Sequence, residues 1–317
     1  MNAMALWCTS KETAELRPGL EGDGVLVETV FSGISRGTES LVFGGGIPAS
    51  EAARMRGPAQ EGDFPFPVKY GYSAVGQVRE GTFDGQFVFA LHPHQDRFRL
   101  PEGNLHPLPD GVPPERAVLA ANMETALNIL WDSQSAAGDQ IAVVGSGVVG
   151  SLVAYLAARL PGAKVTLVDS NPSRRLIAEK FSCRFAGPDE APDNCDVVIH
   201  TSGTEAGLVN SLQMAGQDAT VVEASWHGDR VVSLPLGADF HSKRLRLQSS
   251  QVGALPPSRS PRWTHSRRLS TAIELLEDSR LDVLISGETA FANLPAEYET
   301  ILSHPDTLCH RVRYAIS

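Results

Sequence analysis

One stretch constrains the fold more than any other: DQIAVVGSGVVGSLVAYLAARLPGAKVTLVD, residues 139–169. Ile141 to Val144 form an apolar run that suits a strand buried on both faces. Gly145, Gly147 and Gly150 follow with G-x-G-x-x-G spacing. SLVAYLAARL carries apolar residues at helical spacing, with Gly162 just beyond its end. A second apolar run, Val165 to Val168, closes on an acid, Asp169.

Strand, glycine turn, helix, strand and acid are in the order that a dinucleotide-binding unit requires, and each has a mechanical reason. The first glycine permits a tight turn, the second lets backbone approach a pyrophosphate, and the third lets helix pack on strand. Free N–H groups and the positive dipole end at the helix N-terminus then face the phosphates. Asp169 stands 19 residues after Gly150, where a carboxylate accepts ribose hydroxyls. It favours NAD, because it would repel the 2′-phosphate of NADP; Arg174 and Arg175 keep NADP as a second choice.

The alternation continues downstream. PSRRLIAEKF (172–181) and EAGLVNSLQMA (205–215) read as helices, and CDVVIHTSG (195–203), DATVVEASW (218–226) and RLRLQSSQV (244–252) as strands. The fold class is therefore α/β, with a doubly wound parallel sheet over residues 117–263. The first 116 residues differ. GVLVETVFSGI (24–34), AVGQVREG (74–81) and QFVFAL (86–91) are short runs separated by turn signals, as in an antiparallel β-domain. A long loop spans 44–67, an amphipathic helix is expected over 264–280, and HRVRYAIS (310–317) reads as a terminal strand able to return to the first domain.

Composition excludes several classes. With 27 Lys and Arg against 37 Asp and Glu, the formal charge is −10, which does not suit binding nucleic acid through the overall field. No apolar run reaches the roughly 18–20 residues of a membrane helix, and MNAMALWCTSKETAEL lacks the pattern of a signal peptide. Four scattered cysteines, Cys8, Cys183, Cys195 and Cys309, fit a reducing cytoplasm better than a disulfide framework.

SGISRGTE (32–39), YGYSAVGQV (70–78), NMETALN (122–128) and GSGVVG (145–150), in this order, resemble the medium-chain dehydrogenases/reductases. The resemblance spans nearly the whole chain. It implies a GroES-like domain (1–116 and 264–317) and a Rossmann domain (117–263), with nicotinamide and substrate held in the cleft between them. SGISRGTES and FPFPVKYGYSAVGQV look most like the bacteriochlorophyllide hydroxyethyl dehydrogenase-like branch. Ser73 stands where that branch commonly carries an acid, so its substrate does not transfer.

Zinc members of the family bind catalytic metal with Cys, His and often Glu, and a later Cys or Asp. Those positions here are Ser35, Tyr72, Ser73 and the neighbourhood of Asn122 and Met123, and no cysteine lies between Cys8 and Cys183 for the structural zinc lobe. Both zinc sites are therefore expected to be absent. The resemblance implies Tyr72 as the donor to a substrate oxygen, with Ser35 assisting and His94 or Glu39 as proton-relay partner. It also implies cofactor contacts from Gly145, Gly147, Val148, Val149, Gly150, Asp169, Arg174, Arg36, Ser202 and Thr125. His92 and His94 share a face if their segment is extended, as a metal pair would, but with no third ligand they read as a loop or cleft-lining pair. The basic stretch RSPRWTHSRR (259–268) reads mainly as a solvated loop, with an anionic ligand as its alternative.

The expected activity is hydride transfer between nicotinamide and an alcohol or carbonyl, without zinc, on a small-molecule substrate. The alternatives are a zinc-free quinone or enone reductase and a non-catalytic dinucleotide sensor. A cytoplasmic homodimer, pairing near 244–252, is expected.

Overall fold

The computed structural model describes residues 3–315; the last two residues of the expected terminal strand lie outside them. Two compact units emerge. One is discontinuous, Met1–Ala121 with Leu269–Ser317, and the other is contiguous, Asn122–Arg268.

The discontinuous unit is mostly antiparallel. β1 (Ala3–Ser10) and β2 (Thr13–Gly19) form a hairpin, which short β4 (Glu61–Gly62) and β5 (Val68–Lys69) extend into a four-stranded sheet of order β2-β1-β5-β4. The larger sheet is built around β3 (Val25–Ser35), an 11-residue strand. It includes β6 (Ala74–Val78), β7 (Phe87–Ala90), β8 (Arg97–Leu100) and β9 (His106–Pro107). Val27, Ala74, Val78, Val88, Ala90 and Phe98 pack a dry core on it. At its C-terminal end β3 leads directly into α1 (Arg36–Phe43), and that junction carries much of the chemistry described below. α2 (Pro114–Ala117) opens on a proline, whose missing N–H costs nothing in a first turn.

α3 (Ala120–Ser133) carries the chain into the contiguous unit. Its six strands are β10 (Gln140–Val144), β11 (Lys164–Val168), β12 (Arg184–Ala186), β13 (Cys195–His200), β14 (Ala215–Glu223) and β15 (Arg246–Ser249), in the order β12-β11-β10-β13-β14-β15. All pairings are parallel, with Ile141 opposite both Val165 and Val197. α4 (Val148–Ala157), α5 (Arg175–Lys180) and α6 (Glu205–Met214) lie between strands in sequence. Buried on both faces, Ile141–Val144 of β10 and Val197–Ile199 of β13 read as unbroken apolar runs rather than alternations. The chain order reverses between β10 and β13, and it is beyond strand ends at such a point that open α/β sheets bind ligands.

Two expected strands shorten, to 195–200 and 246–249, the 218–226 strand shifts to 215–223, and the 172–181 helix opens as a 3-10 turn before α5. The basic stretch is less of a solvated loop than its composition implies. Arg268 is buried and donates to Glu124, Asn128 and the Val252 carbonyl; Arg267 lies over Trp263 and Arg259 over Trp131. α7 (His265–Glu274) ends in a 3-10 turn, short of the expected 280. β16 (Ile285–Ala290), α8 (Leu294–Ser303) and β17 (Cys309–Arg313) complete the discontinuous unit. β17 pairs antiparallel with β3, Cys309 facing Ser35 and Arg313 facing Phe31.

Candidate functional site

In the contiguous unit, the glycine turn joins β10 to α4. Gly145 has φ +101°, and a Cβ there would stand 2.6 Å from the Ser202 backbone nitrogen. A Cβ on Gly150 would collide with the Gly145 carbonyl oxygen and the Thr201 hydroxyl. Above Gly147 there is open space, as a backbone that receives a bulky ligand needs. No side chain caps α4 at Gly147, so the first N–H groups of the helix, at Val148 and Val149, are left for an anion. The buried Ser146 hydroxyl has no hydrogen-bond partner.

Asp169 stands at the end of β11. Its two carboxylate oxygens accept the N–H groups of Ser146 (2.6 Å) and Asn171 (2.8 Å). The carboxylate is thereby oriented, while each oxygen retains a lone pair. Beside it lies a pocket of about 290 Å³ lined by Asp169, Ser170, Arg175, Phe185 and Glu190, among others. The Arg175 guanidinium lies 4.8 Å from the centre of the Phe185 ring. Of the expected pair of arginines, then, Arg175 lines this pocket while Arg174 is buried in the 3-10 turn. Adjacent residues of a helical turn face different directions, and along 172–177 every third side chain is buried.

Ser202 lies just past β13. Its hydroxyl approaches His200 Nε2 (2.6 Å) and Thr204 Oγ1 (2.8 Å) beneath α6, where a Cβ on Gly207 would collide with it. His200 Nδ1 lies 2.7 Å from Glu223, at the end of β14. His227 also faces this carboxylate, at 3.4 Å. The sequence reading named only Ser202 here. The signal available was a polar residue closing each of two consecutive apolar strands. Thr125 lies on α3, apart in sequence from the glycine turn.

In the discontinuous unit, four residues expected to act together are in fact neighbours. Glu39 on α1 is buried and accepts three hydrogen bonds: from the Ser35 N–H (2.6 Å), from the Tyr298 hydroxyl (2.6 Å) and from His94 Nε2 (3.0 Å). With Nε2 donating, His94 Nδ1 accepts from Ser32 Oγ at 2.7 Å, and Ser32 in turn accepts from the Tyr314 hydroxyl at 2.9 Å. Gly71, at φ +127°, gives His94 its room: a Cβ there would stand 3.1 Å from the imidazole. Tyr72 follows it, half-buried, its hydroxyl 3.4 Å from Thr38 Oγ1. Burial pushes this phenol up to about 12 against the opposing effect of hydrogen bonds with Ser35 and Thr38, so it is a donor at neutral pH. Burial, reinforced by the Glu39 carboxylate, raises Tyr298 well above the ordinary phenol range. Glu39 therefore bonds to His94 and Tyr298, and reaches Tyr72 only through the residues of the Ser35–Thr38 turn.

His92 and His94 part company. The segment is not a strand, and His92 stacks flat on Phe98 at 4.0 Å while His94 joins the Glu39 network. Burial and the nearby Lys69 charge lower His92 to about 3. Arg36, expected at a pyrophosphate, donates here to the His304 carbonyl at 2.9 Å.

No family model matches the chain. D-guloside 3-dehydrogenase of Escherichia coli strain K12 is 27% identical over 217 residues, covering 64% of this chain and 62% of the relative. The match thus spans less than two thirds of the relative's length. L-idonate 5-dehydrogenase from E. coli superposes with TM-score 0.78 at 14% identity, covering 99% of this chain and 100% of that one. A zinc-binding-type dehydrogenase from Sinorhizobium meliloti, bound to NADP, gives TM-score 0.77 at 18% identity, covering 99% of both. The chain is thus similar in sequence to dehydrogenases of the medium-chain dehydrogenase/reductase type, and it shares their two-domain fold. Its contiguous unit has a Rossmann fold and its discontinuous unit a GroES-like fold.

The positions that the motif resemblance equates with zinc ligands carry hydroxyl groups. Ser35 and Tyr72 offer hydroxyls that hydrogen-bond each other, and the Ser73 hydroxyl donates to the Val118 carbonyl at 2.6 Å. Hydroxyl and phenol groups do not make a zinc set, which calls for thiolate, imidazole or carboxylate. The four cysteines are free, and burial pushes the Cys8 and Cys309 thiols up to about 12. No described helix is long and apolar enough to cross a membrane.

Proposed function

We propose that this chain is a nicotinamide-dependent oxidoreductase that moves a hydride between the cofactor and an alcohol or carbonyl, with no zinc at the superfamily's catalytic position. The observation that carries the proposal is the glycine turn with its open face at Gly147, an uncapped helix end behind it and Asp169 oriented at the next strand. These residues fit a dinucleotide: Gly145 to Gly150 for the pyrophosphate, Asp169 for the adenosine ribose and the Arg175–Phe185 pocket for the adenine end. The bound cofactor would supply the hydride chemistry. Asp169 favours NAD over NADP. The E. coli relative is a D-guloside 3-dehydrogenase, which supports a hydroxylated small molecule as substrate.

Tyr72 is the donor to the substrate oxygen. Its phenol holds its proton at neutral pH, and a donor aimed at developing charge contributes roughly 3–4 kcal/mol in a dry site. Ser35 assists, and the Glu39–His94–Ser32 chain holds the turn on which both depend. The protein acts in the cytoplasm as a homodimer paired through β15, which is the edge strand of its sheet and exposes Leu247.

Three measurements test this reading. Fluorescence titration with NADH and NADPH should give the tighter dissociation constant with NADH. Consumption of NADH against a panel of aldehydes, ketones and enones should then find a substrate; activity on enones alone favours a double-bond reductase, and binding without turnover favours a sensor. On a verified carbonyl substrate, Tyr72→Phe should lower kcat at least tenfold while NADH affinity stays within about a factor of two. An unchanged kcat would reduce Tyr72 to packing.

A further inference from the structure

Among the described residues, one group of side chains outside the residues just discussed has the composition of a metal centre. His200, Glu223 and His227 present one ligand atom each, all within 4.8 Å of one another. Two of them close consecutive parallel strands, β13 and β14, and the third follows four residues after Glu223. Rigid strand ends fix His200 and Glu223. The turn carrying His227 is tied down by Arg230, which donates to the His227 carbonyl (3.0 Å) and to the Gly203 carbonyl (3.0 Å).

The surroundings orient each ligand atom. Ser202 Oγ at 2.6 Å takes His200 Nε2, which leaves Nδ1 directed at Glu223. The Ser225 N–H donates to Glu223 Oε1 at 2.6 Å, so that Oε2 is the oxygen facing both imidazoles. Ser225 Oγ lies 3.5 Å from His200 Nδ1. The two imidazole rings are nearly parallel, at 14°. Metal-bound histidines and carboxylates are held by outer hydrogen bonds of this kind.

A serine–histidine–carboxylate relay of the hydrolytic sort is the rival reading, since Ser202, His200 and Glu223 are in hydrogen-bonding sequence. Its nucleophile is misplaced. The Ser202 hydroxyl points in under α6, packed where a Gly207 Cβ would stand and already engaged with Thr204.

We propose that His200 Nδ1, Glu223 Oε2 and His227 Nε2 bind a divalent ion of the zinc class, with a fourth position open. Ligand atoms about 3.4 Å apart surround a tetrahedral zinc with bonds of about 2.1 Å. The Glu223–His227 separation is already 3.4 Å, and the ion would replace the proton that His200 now shares with Glu223. Ser35, Tyr72 and Ser73, where the resemblance implies that zinc is absent, are other residues. The main readout of this site is metal content, which needs neither NADH nor turnover.

The test is metal content. Chelator-stripped protein is incubated with Zn²⁺ and dialysed, and metal per chain is measured; Co²⁺ is titrated in parallel and its visible absorption recorded. One equivalent retained, a Co²⁺ band of four-coordinate intensity, and at least tenfold weaker binding in Glu223→Gln and His227→Ala are expected. Ser202→Ala should weaken binding by a smaller factor. Circular dichroism identifies any variant that fails to fold, and His227→Gln then replaces His227→Ala. Failure of the wild-type protein to retain Zn²⁺, or equal retention by the folded variants, overturns the proposal. So does loss of NADH affinity in Glu223→Gln from a wild type that holds no metal, which would make the cluster part of the nucleotide site.

Discussion

The two units gather polar groups by opposite routes. The glycine turn of the Rossmann unit uses backbone: N–H groups of residues 146 to 150, spaced by a single strand–helix connection, with side chains reduced to nothing where a ligand must approach. The Glu39 network of the GroES-like unit uses side chains drawn from distant parts of the chain. Ser32 and Ser35 come from β3, His94 from a loop, Tyr298 from α8 and Tyr314 from just beyond β17. A backbone site survives most substitutions but fails at a glycine, where any Cβ is too much. A side-chain network fails one bond at a time, and its cost depends on whether the remaining groups are left buried and unpaired.

The largest effect that sharpens this contrast is expected at Gly150. Gly150→Val forces its branched side chain into the Gly145 carbonyl and the Thr201 hydroxyl. NADH affinity should fall more than a hundredfold in a fluorescence titration, with a lower melting temperature of the Rossmann unit. A Gly150→Val protein that binds NADH normally would show that the close approach is not needed.

Next is Glu39. Glu39→Ala strands the His94, Tyr298 and Ser35 donors in a dry interior, a loss of about 3 kcal/mol by urea denaturation. Glu39→Gln retains an acceptor and should lose less than half as much. Equal losses would mean that Glu39 acts through its volume.

The smallest effect concerns pH. The folded chain keeps His92 neutral down to about 3, whereas the unfolded chain protonates it near the ordinary 6.5. The unfolded state thus binds more protons between these values, and stability must fall as pH drops from 6.5 toward 3. His92→Gln removes this contribution, so its denaturation midpoint should change less between pH 7 and pH 4.5 than that of the wild type. An identical pH dependence would place the titrating group elsewhere.

Legibility followed the same divide. The parallel sheet and its turn were readable because each signal lies within a few residues of the next: apolar run, glycines, helix, acid. Tyr72, Ser35, His94 and Glu39 were named through likeness of short motifs, and the network around them was not readable. Tyr298 and Tyr314 enter it from 259 and 282 residues away, and no local pattern marks a tyrosine for that. The N-terminal hairpin escaped as well, because β2 reads TAELRPG, exposed and polar for most of its length. Arg174 and Arg175 show a finer limit. Composition selects the pair, but only the turn decides which of two adjacent arginines faces the pocket.

The pairing of β17 with β3 also sets an order of events at the ribosome. The Rossmann unit is one continuous segment, and its whole sheet has been synthesised by the time Arg268 is added. β3 is made much earlier, yet the Phe31–Ser35 stretch of the edge that it shares with β8 has no strand partner until Cys309–Arg313 emerges. At roughly 5–20 residues per second, that edge waits on the order of ten seconds or more, long after its own neighbours β6 and β8 are available. An unpaired edge is a template for wrong partners. A chain stopped short of Cys309 would therefore carry a finished nucleotide unit beside an open sheet, and chaperone dependence should concentrate on the half that was translated first.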